Sequence, residues 1–106
     1  MDRGQFCENL VLSQLENKGY SLYVKNYKTP FGEVDLVVSH NYKPWLMVEV
    51  KSSNWSDFSS FRLSYKQKLR QQRAHGHLCA ALEREIVFYL AVVSGEFVEY
   101  FLFSEV

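Results

Sequence analysis

Two short runs, Glu33 to Ser39 and Trp45 to Lys51, alternate apolar and polar residues at period two on either side of His40-Asn-Tyr-Lys-Pro44. Two such runs joined by a five-residue connection read as an antiparallel pair of strands. No other feature restricts the chain more, because side chains of period two must divide between the faces of a sheet. One face receives Val34, Leu36, Val38, Leu46, Val48 and Val50, all apolar and therefore core. The other receives Glu33, Asp35, Val37 and Ser39 with Trp45, Met47, Glu49 and Lys51, so its charge gathers at the end far from the connection.

A connection symmetric about Tyr42 places Asp35 opposite Glu49 and Glu33 opposite Lys51, about 5 Å apart at Cβ. A solvated face with one salt bridge accounts for Glu33 and Lys51. It does not account for Asp35 and Glu49, because like charges directly opposed destabilise a strand pair. A cation between them removes the conflict. Two carboxylates with open positions suit Mg²⁺ or Mn²⁺, completed by water and substrate phosphate. Lys51 projects to the same side, where an ammonium can stabilise a phosphate or orient the attacking water.

Around this pair the chain reads as αβββαββ. Asp2 with Gln5 three residues later opens a helix at about 3 to 18, stopped by Gly19. Tyr20 to Tyr27 follows as a strand, with a turn at Thr29-Pro30-Phe31-Gly32. Ser52 to Ser60 is serine-rich and aperiodic, hence a loop, and its Trp55 serves either to cap the core or to stack on a base. A second helix runs from Leu63 to Leu82, and strands at Ile86 to Val93 and Phe97 to Phe103 flank a Ser94-Gly95-Glu96 turn. At 106 residues and 47% hydrophobic, this is an α/β chain folding as one domain, 1 to 106, around a mixed sheet flanked by helices. Its two cysteines fit a reducing cytoplasm better than a disulfide framework, and no apolar run is long enough to span a membrane.

Glu8 supplies a third carboxylate independently. On a helical wheel it lies at about 200°, between Leu15 at about 180° and Leu12 at about 240°, inside the apolar arc that must face the sheet. The net charge of +0 hides a second pattern: Arg62, Lys66, Lys68, Arg70 and Arg73 fall in a stretch to His77 that holds no acid. Ordinary solvated helix faces mix signs to gain i,i+4 pairs, so this one reads as a nucleic-acid-binding face for phosphates. Gln67 and Gln71 turn toward the apolar side of the same helix, where Gln67 either positions a water or a carboxylate or has its amide satisfied at the helix edge. His40, His75 and His77 lack partners at metal-ligand spacing and read as structural or solvent-facing.

Glu8, Gly32-Glu33-Val34-Asp35 and Glu49-Val50-Lys51 stand in the order of the PD-(D/E)xK nuclease superfamily, whose helical acid precedes its strand motifs. The chain is similar to the small YraN-like family of bacterial proteins within it, through Gly19-Tyr20, Asn26, Val48 to Lys51, and Lys66-Gln67 with Ala74 eight residues after Lys66. The resemblance implies a restriction-endonuclease-like fold, metal binding by Asp35 and Glu49, a catalytic lysine at Lys51 and the helical acid at Glu8. Where the family carries Arg-Phe-Asp before the fourth strand, this chain reads Arg84-Glu85-Ile86.

The expected function is a metal-dependent nuclease acting on DNA, including branched or structured DNA. The alternatives are a non-cleaving nucleic-acid-binding module and a protein-interaction subunit. The last draws on Phe97 to Phe103, apolar on both faces, which at a sheet edge would pair with another chain as a homodimer.

Overall fold

The structure is a computed structural model that describes residues 2–53 and 64–106. Helix α1 (Arg3–Asn17) is opened by the Asp2 carboxylate, which accepts the Gln5 N–H at 2.7 Å. It leads into strands β1 (Ser21–Thr29), β2 (Gly32–Ser39) and β3 (Trp45–Ser52). Helix α2 (Tyr65–Leu82) is followed by strands β4 (Ile86–Ser94) and β5 (Phe97–Leu102). The order αβββαββ stands, with boundaries moved by one or two residues. The last expected strand stops at Leu102, where the chain turns into a short 3₁₀ segment that buries Phe103 against Phe88, ring centroids 4.1 Å apart. Trp55 and Arg62 lie outside the described residues, as does most of the serine-rich stretch.

The five strands form one mixed sheet in sequential order, β1-β2-β3-β4-β5. All neighbours are antiparallel except β3 and β4, which run parallel through eight residue pairs, as the α2 crossover between them requires. Each face is covered by a helix. Cys7, Val11 and Leu15 of α1 pack on Leu36, Val38, Leu46 and Val48, while Ala74 and Leu78 of α2 pack on Val37, Met47 and Phe88. The face expected to carry charge beside water is therefore core through its middle, and Val37 and Met47 are fully buried.

The register deduced from loop symmetry is the observed one: Leu36 faces Val48, Val37 faces Met47 and Val38 faces Leu46. The division of β2 between the faces is not. Val34, expected beside Leu36, packs with the α2 cluster. The alternation skips at Asp35, and the neighbouring strand shows why. Across from Asp35, Asn26 has φ 54, a left-handed conformation in the middle of β1, and the β1–β2 ladder omits that pair while holding Lys25 opposite Leu36 and Tyr27 opposite Val34. One left-handed residue lets two side chains in succession change sides without breaking the strand.

Asn26→Gly is expected to change stability by no more than a few tenths of a kcal/mol. Asn26→Val is expected to lose about 1–2 kcal/mol, because a β-branched side chain resists the left-handed region. Urea unfolding of the two variants checks this.

Candidate active site

β2 and β3 are paired only as far as Leu36 and Val48. Beyond that pair, where the Val50 N–H of a continued ladder would bond the Val34 carbonyl, the Asp35 carboxylate takes the place of that backbone acceptor. Its Oδ2 accepts the Val50 N–H at 2.9 Å. This satisfies a buried donor and turns one carboxylate oxygen of Asp35 toward β3. Glu49, next in β3, is buried, and its Oε2 has no hydrogen-bond partner among the described residues.

Glu49 lines a cavity of about 170 Å³ closed by α2. Lys51, Met47 and Glu33 complete the sheet side, and Gln67, Arg70 and Gln71 the helix side. Lys51 Nζ lies 3.5 Å from Glu49 Oε1. The expected Glu33–Lys51 pair does not form, because β2 and β3 have already parted at that position and Glu33 stands opposite Lys28 in β1. Like the Glu49 oxygen, Gln71 Oε1 is buried without a partner among the described residues, so two such acceptors share one cavity. Both call for a donor or a cation.

Glu8 lies on the opposite face, near enough for the Asp35 charge to act on it. Its side chain is 19% exposed and pairs at 3.9 Å with Lys25, the β1 residue just before the left-handed Asn26. Burial raises its carboxyl above the ordinary range, and the Asp35 charge adds to the rise. Glu8 and Glu49 thus act on Asp35 from the α1 and α2 sides and do not share a single face of the sheet.

The electrostatics agree with that crowding. Asp35 is raised by burial, against the Val50 hydrogen bond and Lys51, which lower it. Glu49 is pushed up to about 8, first by burial and then by Asp35, and Lys51 offsets only part of the rise. Two carboxylates sharing one buried site without a cation resist ionising together, and the pair as a whole is held toward its protonated form.

Among the described residues, no group of three or more His, Cys, Asp or Glu side chains is placed to enclose a metal ion on protein ligands alone. Two carboxylates and open positions remain, a donor set that fits Mg²⁺, since that ion keeps water and takes phosphate oxygens as ligands. The orphaned Glu49 oxygen is the position such an ion would satisfy.

The basic stretch lies on α2 as expected. Lys66 and Arg73 are exposed, Lys68 is half-buried, and Arg70 lines the cavity. Gln67 has its amide satisfied at the helix edge. Its Oε1 accepts the Ser64 N–H at 3.0 Å while its own N–H donates to Ser64 Oγ at 3.2 Å, a complete capping box that starts α2. The inward glutamine without a partner among the described residues is Gln71, one turn further along the same side of the helix.

The histidines are structural. His40 Nδ1 accepts the N–H groups of Tyr42 and Lys43, and His75 bonds the Ile86 carbonyl. Arg84, just before the Glu85-Ile86 at which the expected pattern is departed from, lies over the Trp45 ring at 3.9 Å, at the end of β3 remote from Lys51. Lys25 carried no distinguishing sequence signal, because its partnership with Glu8 depends on the neighbouring left-handed residue.

A family model described as "Uncharacterised protein family UPF0102" matches residues 7–91. A UPF0102 protein of Shewanella oneidensis is 45% identical over 98 residues, spanning 91% of this chain and 90% of the relative. One from Shewanella loihica is 28% identical over 94% of this chain and 90% of its own length. Another from Parvibaculum lavamentivorans is 37% identical over 71% of this chain and 56% of the relative. The matched span contains Glu8, Asp35, Glu49 and Lys51, and the chain belongs to the UPF0102 family.

A carboxylate whose pKa is raised by folding stabilises the folded state fully below its unfolded value and loses that contribution as pH rises through its folded value. The Glu49 contribution is therefore present below about 4.5 and lost by about 8. The metal-free protein is expected to melt at progressively lower temperature from pH 6 to pH 8.5. Glu49→Gln should flatten that slope in the same thermal scans.

Proposed function

We propose that this member of UPF0102 is a Mg²⁺- or Mn²⁺-dependent nuclease that hydrolyses phosphodiester bonds of DNA in the cytoplasm. The observation that carries the reading is the unpartnered, buried Glu49 oxygen beside Asp35 in a cavity that also presents Lys51 and Arg70. A buried acceptor without a partner among the described residues is a position that a donor or a cation would satisfy.

Asp35 and Glu49 would hold the ion, which supplies charge neutralisation at the phosphate and lowers the pKa of a bound water. The protein's own groups do the rest. The Asp35 carboxylate is fixed in direction because its other role, accepting the Val50 N–H, immobilises it. Lys51, beside Glu49 and one-third exposed, is free to donate to a non-bridging phosphate oxygen as negative charge grows there. Glu8 acts on Asp35 through space, adding negative potential that favours a cation in the gap. Hydrolysis forms a bond from a water oxygen to phosphorus and breaks one P–O ester bond, the proton lost by water being balanced by one gained by the leaving oxygen. No oxidant or reductant is involved.

The acid-free stretch of α2 supports a nucleic-acid partner, since Lys66 and Arg73 are exposed on the helix that closes the cavity. No described helix is long and apolar enough to cross a membrane. A second reading, a non-cleaving binding module or protein-interaction subunit, is favoured by one observation. β5 is an edge strand with Phe97 78% exposed, so its outer backbone groups are open to a second chain, including another copy of this one.

Purified protein with Mg²⁺ or Mn²⁺ is expected to cut at least one of single-stranded, duplex, flapped or four-way DNA, and Lys51→Ala to slow cutting by about 10²-fold or more. Cutting that persists unchanged in Lys51→Ala would refute the assignment. Replacing Lys66 and Arg73 with Ala should weaken binding similarly across sequences and reduce the salt slope by about one unit per lost phosphate contact. Binding isotherms at several salt concentrations measure that slope.

A further inference from the structure

The mouth of the cavity carries an aromatic ring that the fold does not use. Phe31 lines the cavity beside Gly32, is 41% exposed, and belongs to neither core cluster. Its nearest aromatic neighbour is His77 of α2, in an edge contact with centroids 6.3 Å apart. The turn that presents it is tightly tied. Thr29 Oγ1 accepts the Phe31 N–H at 3.1 Å and donates to the Gly32 carbonyl at 2.7 Å, while Pro30 fixes the backbone ahead of the ring.

Directly over the turn lies the Arg70 stem. Gly32 has φ 144, and a Cβ there would meet Arg70 Cδ at 3.2 Å. The glycine therefore allows the strand to take a conformation other residues resist and lets the arginine lie close across it. A preorganised aromatic ring and an always-charged guanidinium thus stand together at one lip, with Lys51 and Glu49 deeper in the same cavity.

We infer that this lip is a subsite for an unpaired nucleotide, with Phe31 stacking on its base and Arg70 holding an adjacent phosphate. The inference rests on the nuclease reading for the identity of the polymer and extends it to the state of the bases. In a duplex each base is stacked on its neighbours and paired, so its face is not available to a protein ring unless the nucleotide leaves the helix. In single strands, flaps and junction openings the face is free, and stacking on an aromatic side chain is indifferent to sequence. At the lip itself the guanidinium of Arg70 is the group that would take a phosphate, with Glu33 and Glu49 opposed by Lys51 in the rest of the lining, whereas an exposed apolar ring gains nothing from phosphate alone. The bond that enters the carboxylate site is accordingly one flanked by an unpaired base.

The test uses the whole chain and a labelled 20-nucleotide single strand of mixed sequence, its duplex, and the ribonucleotide version of the strand. Binding is followed by fluorescence anisotropy at constant low salt with chelator present, so that no cutting is required. Wild type should prefer the single strand to the duplex. Phe31→Leu, which keeps an apolar side chain but removes the aromatic face, should weaken single-strand binding by about five- to a hundredfold and duplex binding by less than about twofold. Phe31→Trp should retain the affinity, and emission from the added indole, relative to wild type, should be quenched by the single strand and not by the duplex. A loss with the deoxy strand, the ribo strand or both supports the subsite and identifies the polymer held. Equal binding by wild type and Phe31→Leu, or equal losses on single strand and duplex, overturns it. Absence of cutting with Mg²⁺ would instead remove the nuclease reading and leave this binding result standing.

Discussion

The hydrogen bond from the Val50 N–H to Asp35 Oδ2 holds the rest of the site in place. Continuing the β2–β3 ladder past Leu36 and Val48 would have consumed that donor in a backbone bond and held β2 against β3 beside Glu49. With a carboxylate as the acceptor, the strands separate without leaving a buried donor unpaired. The gap so opened admits Glu49 and Lys51 from the α2 side and the influence of Glu8 from the α1 side. Two buried acids beside each other then resist ionisation, and the raised Glu49 is the electrostatic consequence of a backbone event.

Local features of the fold were legible in the sequence. Period-two alternation and a symmetric five-residue connection gave the β2–β3 register, because both are properties of adjacent residues. The apolar arc placed Glu8 between Leu15 and Leu12 for the same reason. The switch of Val34 to the other face was not legible. It depends on the left-handed Asn26 in the neighbouring strand, and an asparagine inside an otherwise regular strand pattern announces no such turn. Of the two uses open to Gln67, the structure shows the satisfied amide, and Ser64-x-x-Gln67 is the capping signature that could have decided between them. With the helix start placed at Leu63, the glutamine fell inside the helix, where its side chain had to seek another use. The true inward glutamine, Gln71, lay on the side the wheel identified, but only packing could show that its oxygen has no partner among the described residues.

Helix α2 combines two tasks that its sequence separates by face. Ala74 and Leu78 seal the sheet, and small Ala74 lets the helix approach closely enough for Gln71 and Arg70 to close the cavity. Lys66 and Arg73 point away from that contact and carry the excess positive charge into solvent. The helix is thus both the roof of the acidic pair and the basic surface nearest to it. A polyanion attracted by the helix would meet the carboxylates at the one place where a divalent cation can screen them. Neutral overall composition conceals this arrangement, since the opposing charges are segregated and not cancelled.

The most direct measurement is thermal unfolding of wild type and Asp35→Asn, each with chelator and with millimolar Mg²⁺, at pH 8. The asparagine can still accept the Val50 N–H, so the metal-free variant should be at least as stable as wild type. Mg²⁺ should raise the wild-type melting temperature and have much less effect on the variant, which has lost one of two ligands. If Asp35→Asn is strongly destabilised without metal and Mg²⁺ shifts neither protein, the carboxylate serves only to terminate the sheet, and the cation site does not exist.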